Sequence, residues 1–190
     1  MEKPEARREI GRRVSALPPA ERAEKSLLIR DAVLRLPEYA AAHIVMLFAA
    51  MPDEVDTFPI IESALDARRT VLLPKVLPEG GQMIACPVEA CSDLIRGAYG
   101  ILEPRGFQGF TLALIEFCLV PARAFDRSGR RLGRGAGYYD RFMARPGFRA
   151  FRCGIAFHAQ LLDAVPAAEH DLPVHAVVTE LEVIRPGGGG

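Results

Sequence analysis

The sequence carries no net charge: 24 lysines and arginines balance 24 aspartates and glutamates. A neutral chain matches poorly the phosphate ladder of nucleic acid or an anionic membrane surface. No C-x-x-C pair occurs among the four cysteines (Cys86, Cys91, Cys118, Cys153). Neither zinc-ribbon spacing nor a disulfide framework is therefore suggested, and they read as reduced core residues of a cytoplasmic protein. No cationic and apolar signal peptide opens the chain. The longest apolar stretch, Tyr39 to Met51, is broken by His43 and too short to cross a bilayer. There is no G-x-x-x-x-G-K-[ST] and no G-x-G-x-x-G at the first strand, which excludes a P-loop and argues against a dinucleotide site. The four histidines (His43, His158, His170, His175) show no H-x-x-x-H spacing and no Ser-His-Asp order. There is no internal repeat.

What is present suits one α/β domain. The 190 residues are 49% hydrophobic and 25% charged, enough to bury a core. Helical spacing covers 3–17, with Ile10, Val14 and Leu17 on one stripe, ended by Pro18-Pro19. Further helices are expected over about 20–36, stopped by Pro37, and over 57–67. Apolar runs at 43–49, 70–74, 82–88, 112–121, 152–157, 174–180 and 181–184 read as strands, and the glycine-rich 92–110 as a loop. Continuous apolar strands alternating with helices imply a three-layer, mostly parallel sheet with helices on both faces. One domain over 1–185 is expected, with 186–190 a disordered glycine tail. In such sheets ligands sit beyond the strands' carboxyl ends, so the loops after Ala49 and Val120 come first.

The charge is uneven. Residues 123–152 hold nine arginines against two aspartates, whereas 31–122 hold six basic against twelve acidic residues. A single basic strip on a neutral chain suits a compact anion better than a polymer. An RNA-binding module on that strip would lack interleaved aromatics. At its centre, Gly133, Gly135 and Gly137 alternate in "RLGRGAGYYD" (131–140), after a strand and a turn and before a helical stretch. That context suits a nest of backbone N–H groups for phosphate, with Arg131 and Arg134 as bidentate donors. An ordinary flexible turn is the plainer reading. Asp140 either complements a helix dipole or binds magnesium beside phosphate. Tyr138 and Tyr139 either stack on a flat ring or pack half-buried.

Two further clusters stay open in the same way. Lys3 and Arg7 fall on the stripe of Ile10 and Val14, whereas Arg8 and Arg12 fall away from it. Cations in line with a buried stripe either fray at the chain start or reach an internal partner such as phosphate. Glu54 lies in "MPDEVDT" (51–57), either in a solvated acidic loop with Asp56 capping the next helix, or as an acceptor for the N–H donors of a heterocycle.

The stretch "VPARAFDRSGRRLGRGAGYYDRFM" (120–143) resembles the signature of the 5-formyltetrahydrofolate cyclo-ligase family, roughly V-P-G-x-x-F-D-x-x-G-x-R-L-G-x-G-x-G-Y-Y-D. "KPEAR" (3–7) is similar to the family's K-x-x-x-R, "MPDEVDT" to its acidic loop, "GILEPRG" (100–106) to its G-I-x-E-P, and "VPAAEHDLPVHAVVTE" (165–180) to its ending. The resemblance implies a monomeric, cytoplasmic enzyme that needs no nucleic acid or membrane. It implies ATP- and Mg2+-dependent conversion of 5-formyltetrahydrofolate to 5,10-methenyltetrahydrofolate, through phosphorylation of the formyl oxygen, with release of ADP and phosphate. It places ATP on Lys3, Arg7, Arg131, Leu132, Gly133, Arg134, Gly135, Ala136, Gly137, Tyr138 and Tyr139. It places the folate on Ala49, Glu54 and 134–138, with Arg134 and Tyr138 as catalytic groups, and magnesium on Asp140 and Asp171. Five positions depart from the family's usual residues: Ala122 for Gly, Ala136 for Lys or Gly, His175 for Asp, and Arg68-Arg69 for Gly-Lys. A regulatory paralogue that binds folate or nucleotide without turnover is the alternative.

Overall fold

A proline in the first turn opens each of the first four helices in the computed structural model, which describes residues 2–77, 80–97, 100–166 and 172–187. Proline has no backbone N–H, and in the first turn a helix has no carbonyl to receive one, so it starts helices readily. Helix α1 spans Lys3–Ser15 and α2 spans Pro19–Leu34. Pro37 begins a short unexpected helix, α3 (Pro37–Ala41), instead of merely stopping α2. Helix α4 covers Phe58–Asp66 and α5 covers Tyr138–Met143.

The strands, in chain order, are β1 (Ile44–Met46), β2 (Thr70–Val76), β3 (Met83–Val88), β4 (Leu94–Arg96), β5 (Leu102–Pro104), β6 (Phe117–Val120), β7 (Ala124–Phe125), β8 (Arg131–Leu132), β9 (Phe151–Ile155), β10 (Ala176–Val178) and β11 (Val183–Ile184). Seven form the central sheet in the order β11-β10-β9-β6-β1-β2-β3. The five inner strands are parallel, and β3 and β11 pair antiparallel at the edges. The mostly parallel sheet is thus as expected. The chain reverses its direction of travel across the sheet between β1 and β6, which opens a crevice at their carboxyl ends.

Alternate strand residues feed two cores. Val45, Leu47, Val71 and Leu119 face one side, with Ile10 and Val14 of α1, Ile29 and Val33 of α2, and Ile60 and Ile61 of α4. Met46, Leu72, Cys118 and Val120 face the other, with Phe142 and Met143 of α5. Helices therefore cover both faces, unequally. Each fully buried aliphatic contributes about 1.5–3 kcal/mol, so Ile10 and Val14, with Ala6 beside them, anchor α1 on the sheet.

Two expectations change here. Residues 92–110 are not a plain loop, because β4 and β5 pair as a small separate hairpin sheet. The apolar run 112–121 is not one strand either: Leu112–Leu114 form a 3-10 turn, and the strand starts only at Phe117. Glu116 sits between them, and its Oε2 accepts the backbone N–H groups of His43 (2.5 Å) and Ile44 (2.9 Å). Of the expected tail, 188–190 lie outside the described residues, and Pro186-Gly187 form a turn.

Candidate active site

A cleft of about 160 Å³ opens at the carboxyl ends of β1 and β6, bounded by the 131–140 segment and by β5. Asp126, fully buried, organises the turn that leads into the 131–140 segment. Its Oδ1 accepts the N–H groups of Ser128 (2.9 Å) and Arg130 (3.1 Å), and its Oδ2 accepts those of Val165 (2.9 Å) and of Arg130 Nε (2.7 Å). This saturated carboxylate fixes the turn between β7 and β8, from which the glycine loop emerges. The sequence reading assigned Asp126 no role, although it stands in the quoted signature.

The glycine loop carries backbone shapes that a side chain resists. Gly135 has φ +116°, and Gly137, which precedes α5, has φ +66°. Arg7 reaches the loop from α1: its Nε donates to the Gly133 carbonyl at 2.9 Å, and its Nη2 lies 3.7 Å from where a Gly135 Cβ would stand. Of the two open readings, an internal partner for Arg7 is the one the geometry supports. Lys3 is half-buried on the same helix, while Arg8 and Arg12 are exposed.

Arg131 is nearly sealed, with a side chain 3% exposed, and forms an ion pair with Asp140 Oδ1. Its Nε is buried with no partner among the described residues, and so is the Tyr139 hydroxyl. Both residues line the cleft. Burial pushes the Tyr139 hydroxyl well above its ordinary pKa; nearby Cys118 and Glu54 add to this and Arg131 opposes it. Tyr139 is therefore a neutral donor at physiological pH. Tyr138 is half-exposed, with the Arg141 guanidinium 5.2 Å from its ring centroid. Leu132 is buried in the core and adds only backbone to the site.

Opposite the loop, Ala49 and Glu54 line the same cleft. Glu54 Oε2 accepts the Met51 N–H at 2.9 Å, and its Oε1 receives Arg134 at 2.9 and 3.2 Å. Asp53 binds Arg134 at 2.8 Å and also pairs with Arg123. Burial alone would raise the Asp53 carboxyl, but the two guanidiniums together hold it below its ordinary pKa. Sequence reasoning missed this network, whose members lie 70–81 residues apart. Asp56 accepts the Phe58 N–H at 3.0 Å in the first turn of α4, close to the capping role expected for it.

The cleft is lined by Ala49, Glu54, Arg131, Gly133, Arg134, Ala136, Gly137, Tyr138, Tyr139 and Asp140, with Arg7 bonded to Gly133 and close to Gly135 behind it, whereas Leu132 packs into the core. Ala136 is exposed and supplies no cation. Asp171 and His170 lie outside the described residues. No cluster of three histidine, cysteine or acidic side chains forms a metal cage among the described residues. A magnesium ion held chiefly by phosphate needs only one or two carboxylates, and Asp140, with a second carboxyl oxygen beyond Oδ1, is a suitable hard donor. The cysteines are free, three of them buried, as expected.

Comparison with known proteins follows the same lines. The profile of the 5-formyltetrahydrofolate cyclo-ligase family matches residues 1–180. The Escherichia coli K12 5-formyltetrahydrofolate cyclo-ligase is 32% identical over 178 residues, covering 92% of this chain and 98% of the relative. The Mus musculus 5-formyltetrahydrofolate cyclo-ligase is 27% identical over 185 residues, with 92% and 91% coverage. The solved structure of Aquifex aeolicus 5,10-methenyltetrahydrofolate synthetase superposes with a TM-score of 0.87 at 33% identity, covering 100% of this chain and 95% of that one.

Proposed function

The chain belongs to the 5-formyltetrahydrofolate cyclo-ligase family, and on that premise we propose that it uses ATP to convert 5-formyltetrahydrofolate into 5,10-methenyltetrahydrofolate, ADP and phosphate. The observation that carries this reading is the pair of orphaned donors, Arg131 Nε and the Tyr139 hydroxyl, on residues lining one cleft beside the glycine loop. A buried unpaired donor costs about 1–3 kcal/mol, so such groups await acceptors. Phosphate oxygens supply them.

The chain's own groups divide the work. Arg7, Lys3, Arg131, Arg134 and the backbone N–H groups of 132–139 hold the polyphosphate and face the charge that develops during transfer. Glu54 accepts the N–H donors of the folate heterocycle, and Ala49 leaves room for the ring. Arg134 and Tyr138, both on the cleft wall, would contact both substrates. The formyl oxygen takes the γ-phosphoryl group, with ADP departing. N10 then attacks the activated carbon and loses its proton, and phosphate carries the formyl oxygen away. Asp140 would hold Mg2+, which neutralises phosphate charge when bound.

The free cysteines favour a reducing compartment such as the cytoplasm, and no helix among the described residues is long and apolar enough to cross a membrane. The experiment is stoichiometric: one ADP and one phosphate should appear per methenyl product, and none without the formyl substrate. Nucleotide hydrolysis uncoupled from product would refute the reading.

A further inference from the structure

Arg134 stands between two carboxylates at the cleft mouth. Its Nη2 donates to Asp53 Oδ1 at 2.8 Å and to Glu54 Oε1 at 2.9 Å, and its Nε donates to Glu54 Oε1 at 3.2 Å. The other Glu54 oxygen holds the Met51 N–H. Both carboxylate oxygens of Glu54 are therefore engaged inside the protein. The Glu54 side chain is 11% exposed and that of Arg134 is 38% exposed, so the arginine is the freer partner to swing away.

We propose that Arg134 couples the two substrate subsites: it masks Glu54 until a polyphosphate draws it off, so that nucleotide and folate bind cooperatively. This rests on the assignment of Glu54 to the heterocycle made above. A neutral N–H donor competes poorly with a guanidinium for a carboxylate oxygen, since the guanidinium adds the attraction of a full opposite charge. A triphosphate carries more negative charge than the two carboxylates together, and Asp53 already shares its charge with Arg123. Once Arg134 turns to it, Glu54 Oε1 is open to the folate. Asp53 keeps Arg123 as its partner throughout, so its charge is not stranded. Linkage makes the effect reciprocal: folate also tightens nucleotide binding by the same factor.

The proposal reverses the sign expected of a simple contact residue. If Arg134 only touched folate, Arg134→Gln would weaken nucleotide-free folate binding; as a mask, its removal tightens it. Calorimetric Kd values for 5-formyltetrahydrofolate on the purified full chain, with and without saturating Mg2+ and a non-hydrolysable ATP analogue, decide between them. Wild type should bind folate about fivefold tighter with the analogue. Arg134→Gln, checked for native circular dichroism, should show the tight Kd without nucleotide and no further gain. Equal wild-type Kd values, coupling that survives in Arg134→Gln, or weaker nucleotide-free binding in that variant each overturn the coupling while leaving the cyclo-ligase reading intact. Wild type that binds neither ligand removes both.

Discussion

The Arg7 side chain donates from Nε to the carbonyl oxygen of Gly133 at 2.9 Å, joining the first helix to the glycine loop across 126 residues of sequence. Arg7 is thereby fixed beside Gly135, where the proposed phosphate cradle lies. Arg7→Ala should raise the KM for ATP about tenfold or more and that for folate much less, because one charge-assisted contact is worth about 1.5–3 kcal/mol. Arg8→Ala, on the exposed face, is the control. Equal, small effects for the two variants would count against an ATP-side role for Arg7.

Asp140→Asn tests a pair as well as a metal ligand. The variant keeps an acceptor for Arg131 but leaves that nearly sealed guanidinium without a countercharge. Breaking one side of such a pair costs about 3–5 kcal/mol, and a chain of this size shifts by about 2–4 °C per kcal/mol. Ligand-free Tm should therefore drop by about 6 °C or more, and turnover should not return at high magnesium. An unchanged Tm would show that Asp140 does not hold Arg131 in solution.

Arg68 is the one residue other than glycine with positive φ among the described residues, at +56°. It follows the C-cap of α4, and its N–H bonds Leu65 O (2.8 Å) while that of Arg69 bonds Ala64 O (3.0 Å). That is a Schellman ending, whose left-handed position favours glycine. Arg68→Gly should relieve about 1–2 kcal/mol of backbone strain against a smaller entropic loss, for a net gain of about 0.5–1 kcal/mol. Chemical denaturation measures it. Arg69→Gly should instead destabilise, since Arg69 Nη1 donates to Tyr39 O and Ala42 O, both at 2.5 Å.

His175 meets Arg152 awkwardly. Its Nδ1 accepts the Arg152 backbone N–H at 3.0 Å, so a neutral ring carries its hydrogen on Nε2, which faces Arg152 Nη2 at 2.9 Å. Two donors oppose each other there. Burial, then Arg152, holds the histidine pKa below 6.5. A depressed histidine pKa leaves its stability contribution intact above about 6.5 and removes it as pH falls towards the folded value. His175→Asp offers acceptors to both donors. It should gain about 0.5–1 kcal/mol at pH 7 and flatten the loss below pH 6.5, as read from Tm against pH. A wild-type profile with the same slope as the variant would contradict this account.

Much of the molecule was legible because its signals are local. The stripe Ile10–Val14 and the cations Lys3 and Arg7 in line with it follow from helical spacing alone, and the structure buries the first pair and half-buries the second. The glycine loop declared itself through three alternate glycines, two of which adopt positive φ. What escaped depends on long-range pairing. The β4–β5 hairpin has three-residue strands, too short to show periodicity. It is docked by buried Lys75, whose Nζ donates to Pro104 O at 2.5 Å from β2. The Asp53–Arg123–Arg134 network joins charges that look like solvated loop residues until the strand order brings β1 beside β6. The Gly-to-Ala departure at residue 122 also became readable only in three dimensions: Ala122 is buried and has no positive φ, so the turn accepts a methyl group.

The central claim is a reaction, and one measurement tests it most directly. Purified chain is mixed with 5-formyltetrahydrofolate, with and without ATP and Mg2+, and the absorbance of the methenyl product is followed. The account predicts product that accumulates over many turnovers only when ATP and Mg2+ are both present. Binding of both ligands with no methenyl absorbance above the enzyme-free rate would contradict it, and would identify the chain as a member of the family that binds without turnover.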